Sequence, residues 1–97
     1  MHGFSHYESV RKEIIRLLQK ERKRRKLSNY AVSKRCGVSQ TMLSLVDRGL
    51  RNPKIEILLR IADGIGADLP ALIVKATRTI MREKNSKSIV QKDRTGT

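Results

Sequence analysis

The segment Ser28-Asn29-Tyr30-Ala31-Val32-Ser33-Lys34-Arg35-Cys36-Gly37-Val38-Ser39-Gln40-Thr41-Met42-Leu43-Ser44-Leu45-Val46-Asp47-Arg48-Gly49 reads as two short helices joined by three residues. Ser28 is a good N-cap, because its hydroxyl can accept a backbone N–H that the first helical turn leaves unpaired. That helix runs through Val32 to about Cys36 and stops at Gly37, the residue type that most easily adopts the left-handed conformation past a helix end. Ser39 caps the next helix, Gln40 to about Asp47, and Gly49 ends it in the same way. Only Gly37-Val38-Ser39 separates the two. So short a turn forces a steep crossing, the geometry of a helix-turn-helix.

Helical periodicity continues on both sides. From Ser9 to about Lys26, Val10, Ile14, Leu17 and Leu18 fall at i, i+4, i+7 and i+8, one stripe of an amphipathic helix. After the loop Leu50-Arg51-Asn52-Pro53, a fourth helix is expected with Pro53 in its first turn, where a missing N–H costs nothing. Its inner stripe is Ile55, Leu58, Ala62 and Ile65, and Gly64 and Gly66 mark its end. Asp68 caps a fifth helix with Pro70 in the first turn, and Leu69, Leu72, Ile73, Ala76, Ile80 and Met81 keep helical spacing to about Lys84. No segment shows the alternation or the turn dipeptides of strands. The expected organisation is a flexible leader at 1–8, a domain at 9–84, and a disordered basic tail at 85–97. The fold class is all-α, a compact bundle of about five helices.

The chain has 97 residues, with 22 Lys and Arg against 9 Asp and Glu, a formal net charge of +13 and a pI near 10.8. Such an excess repels itself and usually implies an acidic partner, nucleic acid first and an anionic membrane surface second, with a merely solvated charged face as the third reading. Phe4, Tyr7 and Tyr30 are the whole aromatic complement, too few for a platform that stacks single-stranded bases. Cys36 is the single cysteine, which excludes an intramolecular disulfide and argues against a thiolate zinc site. It falls at an inward phase and reads as a small buried hydrophobe. His2 and His6 lack carboxylate or thiol companions, so no metal and no cofactor is expected. Met1-His2-Gly3-Phe4-Ser5-His6 does not read as a signal peptide, and no stretch is long enough to span a bilayer. The expected compartment is the cytoplasm. No phosphate loop, carboxylate pair or nucleophile set indicates an enzyme, and no sensor segment or effector pocket is evident.

The ordered set from Leu27 to Gln40, with Leu43-Ser44, Asp47-Arg48-Gly49-Leu50-Arg51-Asn52-Pro53 and Leu58-Leu59-Arg60-Ile61-Ala62-Asp63, resembles the Cro/CI-type (XRE-like) helix-turn-helix family, with a lambda-repressor-like domain. With the first helix included, the resemblance covers about two-thirds of the chain. It departs from the family pattern in two places. The usual glutamine opening the second helix is Asn29, and the usual glutamate closing the third is Asp47.

The resemblance implies that the third helix lies in the major groove of double-stranded DNA, its N-terminal residues nearest the base edges. Gln40, Thr41 and Ser44 would then read bases, with Leu45 at the border and Asn29 over a phosphate or reaching a base. Gln pairs bidentately with adenine, Thr offers a methyl to thymine, and Ser bonds to several bases. As bare residues, all four also suit plain solvated positions. Ser28, Lys34, Arg48, Arg51, Asn52 and Lys54 surround the groove-facing helix as phosphate contacts, or as ordinary surface groups. Arg22 stands where lambda-type repressors carry an arginine that pairs with the acid closing the third helix, here Asp47. The run Arg22-Lys23-Arg24-Arg25-Lys26 suits DNA backbone, RNA or acidic lipid, or a solvated helix end.

Leu69, Leu72 and Ile73 can close the core, while Ile80 and Met81 prolong the apolar stripe of the fifth helix past it; a second copy could cover them, with Ile73, Ile80 and Met81 as the expected interface. The expectation is therefore a sequence-specific transcriptional regulator, repression ranking ahead of activation, that binds a palindromic operator as a homodimer. The alternative is an antitoxin or accessory subunit with a protein as its main partner and DNA binding as autoregulation. A nonspecific RNA- or lipid-binding module is the third.

Overall fold

A computed structural model gives the backbone of residues 4–96 and the side chains of residues 6–83. Five helices follow in order: α1 Phe4–Arg24, α2 Asn29–Cys36, α3 Gln40–Asp47, α4 Ile55–Ile65 and α5 Leu69–Gly96. No strand occurs among the described residues. The long helices α1 and α5 pack along each other, α2 packs on α4 and α3, and α1 also touches α3 and α4.

The core draws on every helix. Ile14, Ile15, Leu17 and Leu18 of α1 meet Val32 and Cys36 of α2, Leu43 and Val46 of α3, Leu58, Ile61, Ala62 and Ile65 of α4, and Leu69 and Ala76 of α5. Val38, the middle residue of the short turn, is buried with them and pins the α2–α3 corner to the core. Cys36 is buried, as its phase indicates. No charged or polar side chain is buried among the described residues, so hydrophobic burial drives this core without internal ion pairs.

The ends of the helices follow local chemistry. Ser28 accepts the Ala31 amide and Ser39 the Met42 amide, each at 3.1 Å, and Asp68 accepts that of Ala71 at 3.3 Å. At the end of α3, Leu50 donates to Leu45 and Gly49 to Val46, with Gly49 at φ 74°. This is a Schellman closure. The same pair of bonds closes α1, from Leu27 to Arg22 and from Lys26 to Lys23, but there Lys26 holds the left-handed conformation, at φ 57°. A side chain with a Cβ is strained in that region. Arg22 offsets part of that strain by donating from Nη1 to the Leu27 carbonyl at 2.7 Å.

Gly64 lies inside α4, where a Cβ would stand 2.9 Å from the Cβ of Cys36 and 3.2 Å from the Val32 carbonyl. Its small size lets α2 and α4 approach closely. Arg35 of α2 and Arg25 beyond α1 then donate to the Gly64 and Ile65 carbonyls at 3.4 and 3.3 Å, complementing the negative end of α4.

The structure departs from the sequence expectations at several points. Helix α1 begins at Phe4, where a leader was expected through residue 8, and α5 continues to Gly96, past the expected start of a tail at residue 85. The side chains of that last stretch lie outside the described residues. Pro53 precedes the N-cap Lys54 and is not in the first turn of α4, and Lys54 makes no side-chain cap. Ile55 is exposed, because it opens α4 a turn before the core begins.

The largest correction concerns Ile80. It is buried within its own chain, only 8% exposed. The early start of α1 gives α5 a longer helix to lie against, so the stripe does not outrun its cover. Ile73 is half-buried against the core, and Met81 alone of the three expected interface residues is exposed.

Candidate nucleic-acid interface

Helix α3 is eight residues long, and its inner face is set by Leu43 and Val46, with Met42 partly buried beside them. This phase leaves Gln40 and Thr41 exposed and Ser44 half-buried on the opposite side. All three lie on the outer surface of one rigid helix. Neither Gln40 nor Thr41 bonds its side chain to another described residue, and both are exposed, so their donors and acceptors face solvent.

The far end of α3 is held by residues from two other helices. Gln19 Nε2 of α1 donates to the Asp47 carbonyl at 2.9 Å. Asn29 Nδ2, at the start of α2, donates to Asp47 Oδ2 at 3.4 Å, and Arg22 Nη2 lies 3.9 Å from the same oxygen. The Arg22 and Asp47 side chains are 17% and 26% exposed, so the group is partly shielded. An acid at a helix C-terminus opposes the local dipole, and these three donors offset that. They tie the C-terminal turn of α3 to α1 and α2 at once.

Asn29 is thereby drawn towards Asp47 and is half-buried. Gln19 is the residue that sequence reasoning missed. Its signal was present, three residues before Arg22 on the same face of α1, but only the fold shows which carbonyl it reaches.

Around α3 the surface is basic. Lys34, Arg48, Arg51, Asn52 and Lys54 are all exposed. Lys34 Nζ stands 5.4 Å from the Tyr30 ring centroid, a cation–π contact that steadies its stem. Arg48 Nε donates to the Ser44 carbonyl at 3.4 Å, which folds it back along α3. Ser28 is exposed, and its oxygen accepts an amide as a cap, so its hydroxyl hydrogen stays available to an anion. The first N–H groups of α4 have no side-chain acceptor at the N-cap.

The charge is unevenly spread. From Ser28 to Lys54, Asp47 is the single acid against Lys34, Arg35, Arg48, Arg51 and Lys54, and the end of α1 adds Lys20 and Arg22 to Lys26 against Glu21. Glu21 is engaged by Arg24 and Arg25 at 2.5 and 2.7 Å, which holds its carboxyl well below the usual glutamate range, at about 2. From Ile55 to Glu83, Arg60, Lys75, Arg78 and Arg82 are matched by Glu56, Asp63, Asp68 and Glu83. The positive surplus of the described residues thus lies with α1, α2 and α3.

No group of His, Cys, Asp and Glu among the described residues could hold a metal ion, and no helix among them is long and apolar enough to cross a membrane. A family model described as helix-turn-helix matches residues 18–72. No match was found among curated proteins or among solved structures.

Proposed function

The chain belongs to the Cro/CI-type (XRE-like) helix-turn-helix family of DNA-binding transcription regulators, not an enzyme family, and from that premise we propose that it reads a specific operator in double-stranded DNA through α3. The observation that carries this reading is the pairing of an exposed polar face, Gln40, Thr41 and Ser44, with a clamp on the other end of the same helix. A recognition helix must be presented at a fixed tilt, because base edges are read by hydrogen bonds with narrow geometric tolerance. Gln19, Arg22 and Asn29 supply that constraint at Asp47.

In this reading Gln40, Thr41 and Ser44 contact bases. Asn29, held near Asp47, serves orientation first and reaches the DNA second. Ser28, Lys34, Arg48, Arg51, Asn52 and Lys54 bind phosphates, which supply affinity and salt sensitivity without sequence information. The working form is a homodimer on a palindromic site with half-sites about one helical turn apart. Its contact lies on the outer face of α5, at exposed Val74, because Met81 turns towards α1 and α4. Ile80, being buried, takes no part. Repression follows from occupying promoter DNA in the cytoplasm.

Selection from a random duplex library at near-physiological salt tests this directly. An inverted repeat bound at least about a thousandfold more tightly than a scrambled duplex is the expected result. Gln40→Ala should then cost about 1–3 kcal/mol on the selected site and little on random DNA. Absence of any consensus, with affinity following salt alone, would overturn the base-reading assignment.

A further inference from the structure

Far from the clamp at Asp47, the first half of α1, the start of α4 and the second half of α5 enclose an open cavity of about 490 Å³. Its apolar wall is Tyr7, Val10, Ile14, Leu58 and Met81, and its polar groups are His6, Arg11 and Thr77. A volume of this order suits a small molecule, and an apolar wall with a few polar groups is the usual make-up of a ligand site. Of the lining residues, Leu58 alone falls within the family-matched segment 18–72. The cavity therefore belongs to what this chain adds to the helix-turn-helix domain. It was invisible in the sequence because His6 and Tyr7 fell in a segment read as a flexible leader.

We propose that this cavity binds a small amphipathic acid, its apolar body against Val10, Ile14, Leu58 and Met81 and its carboxylate on Arg11. The charge at the rim selects the occupant. The Arg11 side chain is only 28% exposed, and its one acid, Glu8, stands 3.9 Å away, too far for a hydrogen bond, while engaging Lys12 at 3.4 Å. The Arg11 fork is thus held at the rim with donors to spare, and a planar fork suits a carboxylate. His6 adds a donor and Thr77 a hydroxyl. A neutral apolar molecule would leave Arg11 with only the long ion pair to Glu8. This site stands independently of the DNA reading.

The test is titration of the full chain with octanoate and, separately, with octan-1-ol, followed by amide chemical shifts and heat. Saturable one-to-one binding of octanoate is expected, at least tenfold tighter than octan-1-ol, with shifts confined to α1, α4 and α5. Arg11→Gln should abolish the preference for the acid while leaving the melting temperature unchanged. Thr77→Trp, which fills the cavity from an exposed position on α5, should abolish binding of both. Equal affinity for acid and alcohol would overturn the charge assignment. No saturable binding, or binding untouched by both variants, would overturn the site. So would a dimer in sedimentation that Thr77→Trp dissociates, because a second copy would then be the occupant.

Discussion

The two short helices that carry the candidate interface and the two long helices that flank it are held by different physics. Helices α2 and α3 have eight residues each and bury only Val32, Cys36, Leu43 and Val46 between them. Isolated helices of that length are unstable in water. They persist because each has a serine cap, a glycine exit and, for α3, a clamp on its last turn. Helices α1 and α5 rely instead on a continuous apolar contact. Bulk burial gives stability without much orientation, whereas caps and clamps fix orientation with little bulk. A protein that reads base edges needs both, and here they reside in different helices.

The sharpest way to break that comparison is Leu17→Ala. Leu17 is 4% exposed in α1, and deleting a buried leucine side chain typically costs about 2–5 kcal/mol. Urea unfolding should show a global loss of that size, with DNA sequence preference intact in the fraction that stays folded. A change of preference would mean that α1 packing also tunes the reading helix. Ser39→Ala attacks the other region. It should cost about 1 kcal/mol, and amide exchange should loosen α3 more than α1. Uniform loosening would merge the two regions into one cooperative unit.

Lys26→Gly sharpens the comparison where the regions join. Relieving a left-handed residue at this position should raise stability by about 0.5–1 kcal/mol, read as an increase in the urea midpoint. The smallest effect concerns Glu21 at the end of α1. Its carboxyl is depressed from 4.5 to about 2 by Arg24 first and Arg25 second. A depressed acid contributes stability above its unfolded pKa and loses it as pH falls towards the folded value, here between about 4.5 and 2. Melting temperatures of the wild type and Glu21→Gln should differ slightly at pH 6, converge near pH 2, and differ less in high salt, because both arginine partners are exposed.

What could be read from the sequence follows the range of the interactions. The caps at Ser28, Ser39 and Asp68 and the exit at Gly37 are bonds within four residues, so residue order alone reveals them. The inward phase of Leu43 and Val46, which leaves Gln40 and Thr41 outside, is equally local, and with the turn length it identifies the family. The remainder depends on residues far apart in the chain. Whether Ile80 is covered depends on where α1 starts, more than seventy residues earlier. Gln19 becomes informative only once the Asp47 carbonyl lies beside it, 28 residues away. The cavity needs three helices in place. Lys26 gave no warning, since glycine is the residue that marks a left-handed turn.

The pairing of α1 with α5 also has a consequence in time. Helix α1 leaves the ribosome well before the helix it rests against, so the stripe Ile14, Ile15, Leu17 and Leu18, covered in part by α3 and α4, is completed only when the opposing residues of α5 have been synthesised. At about 5–20 residues per second that interval is on the order of several seconds. During it, α2, α3 and α4 can form their mutual contacts from residues already made, while the part of the α1 stripe that faces α5 is still uncovered. The nascent chain therefore assembles its reading unit before it has its full stability, which comes with the closing of α5 over α1.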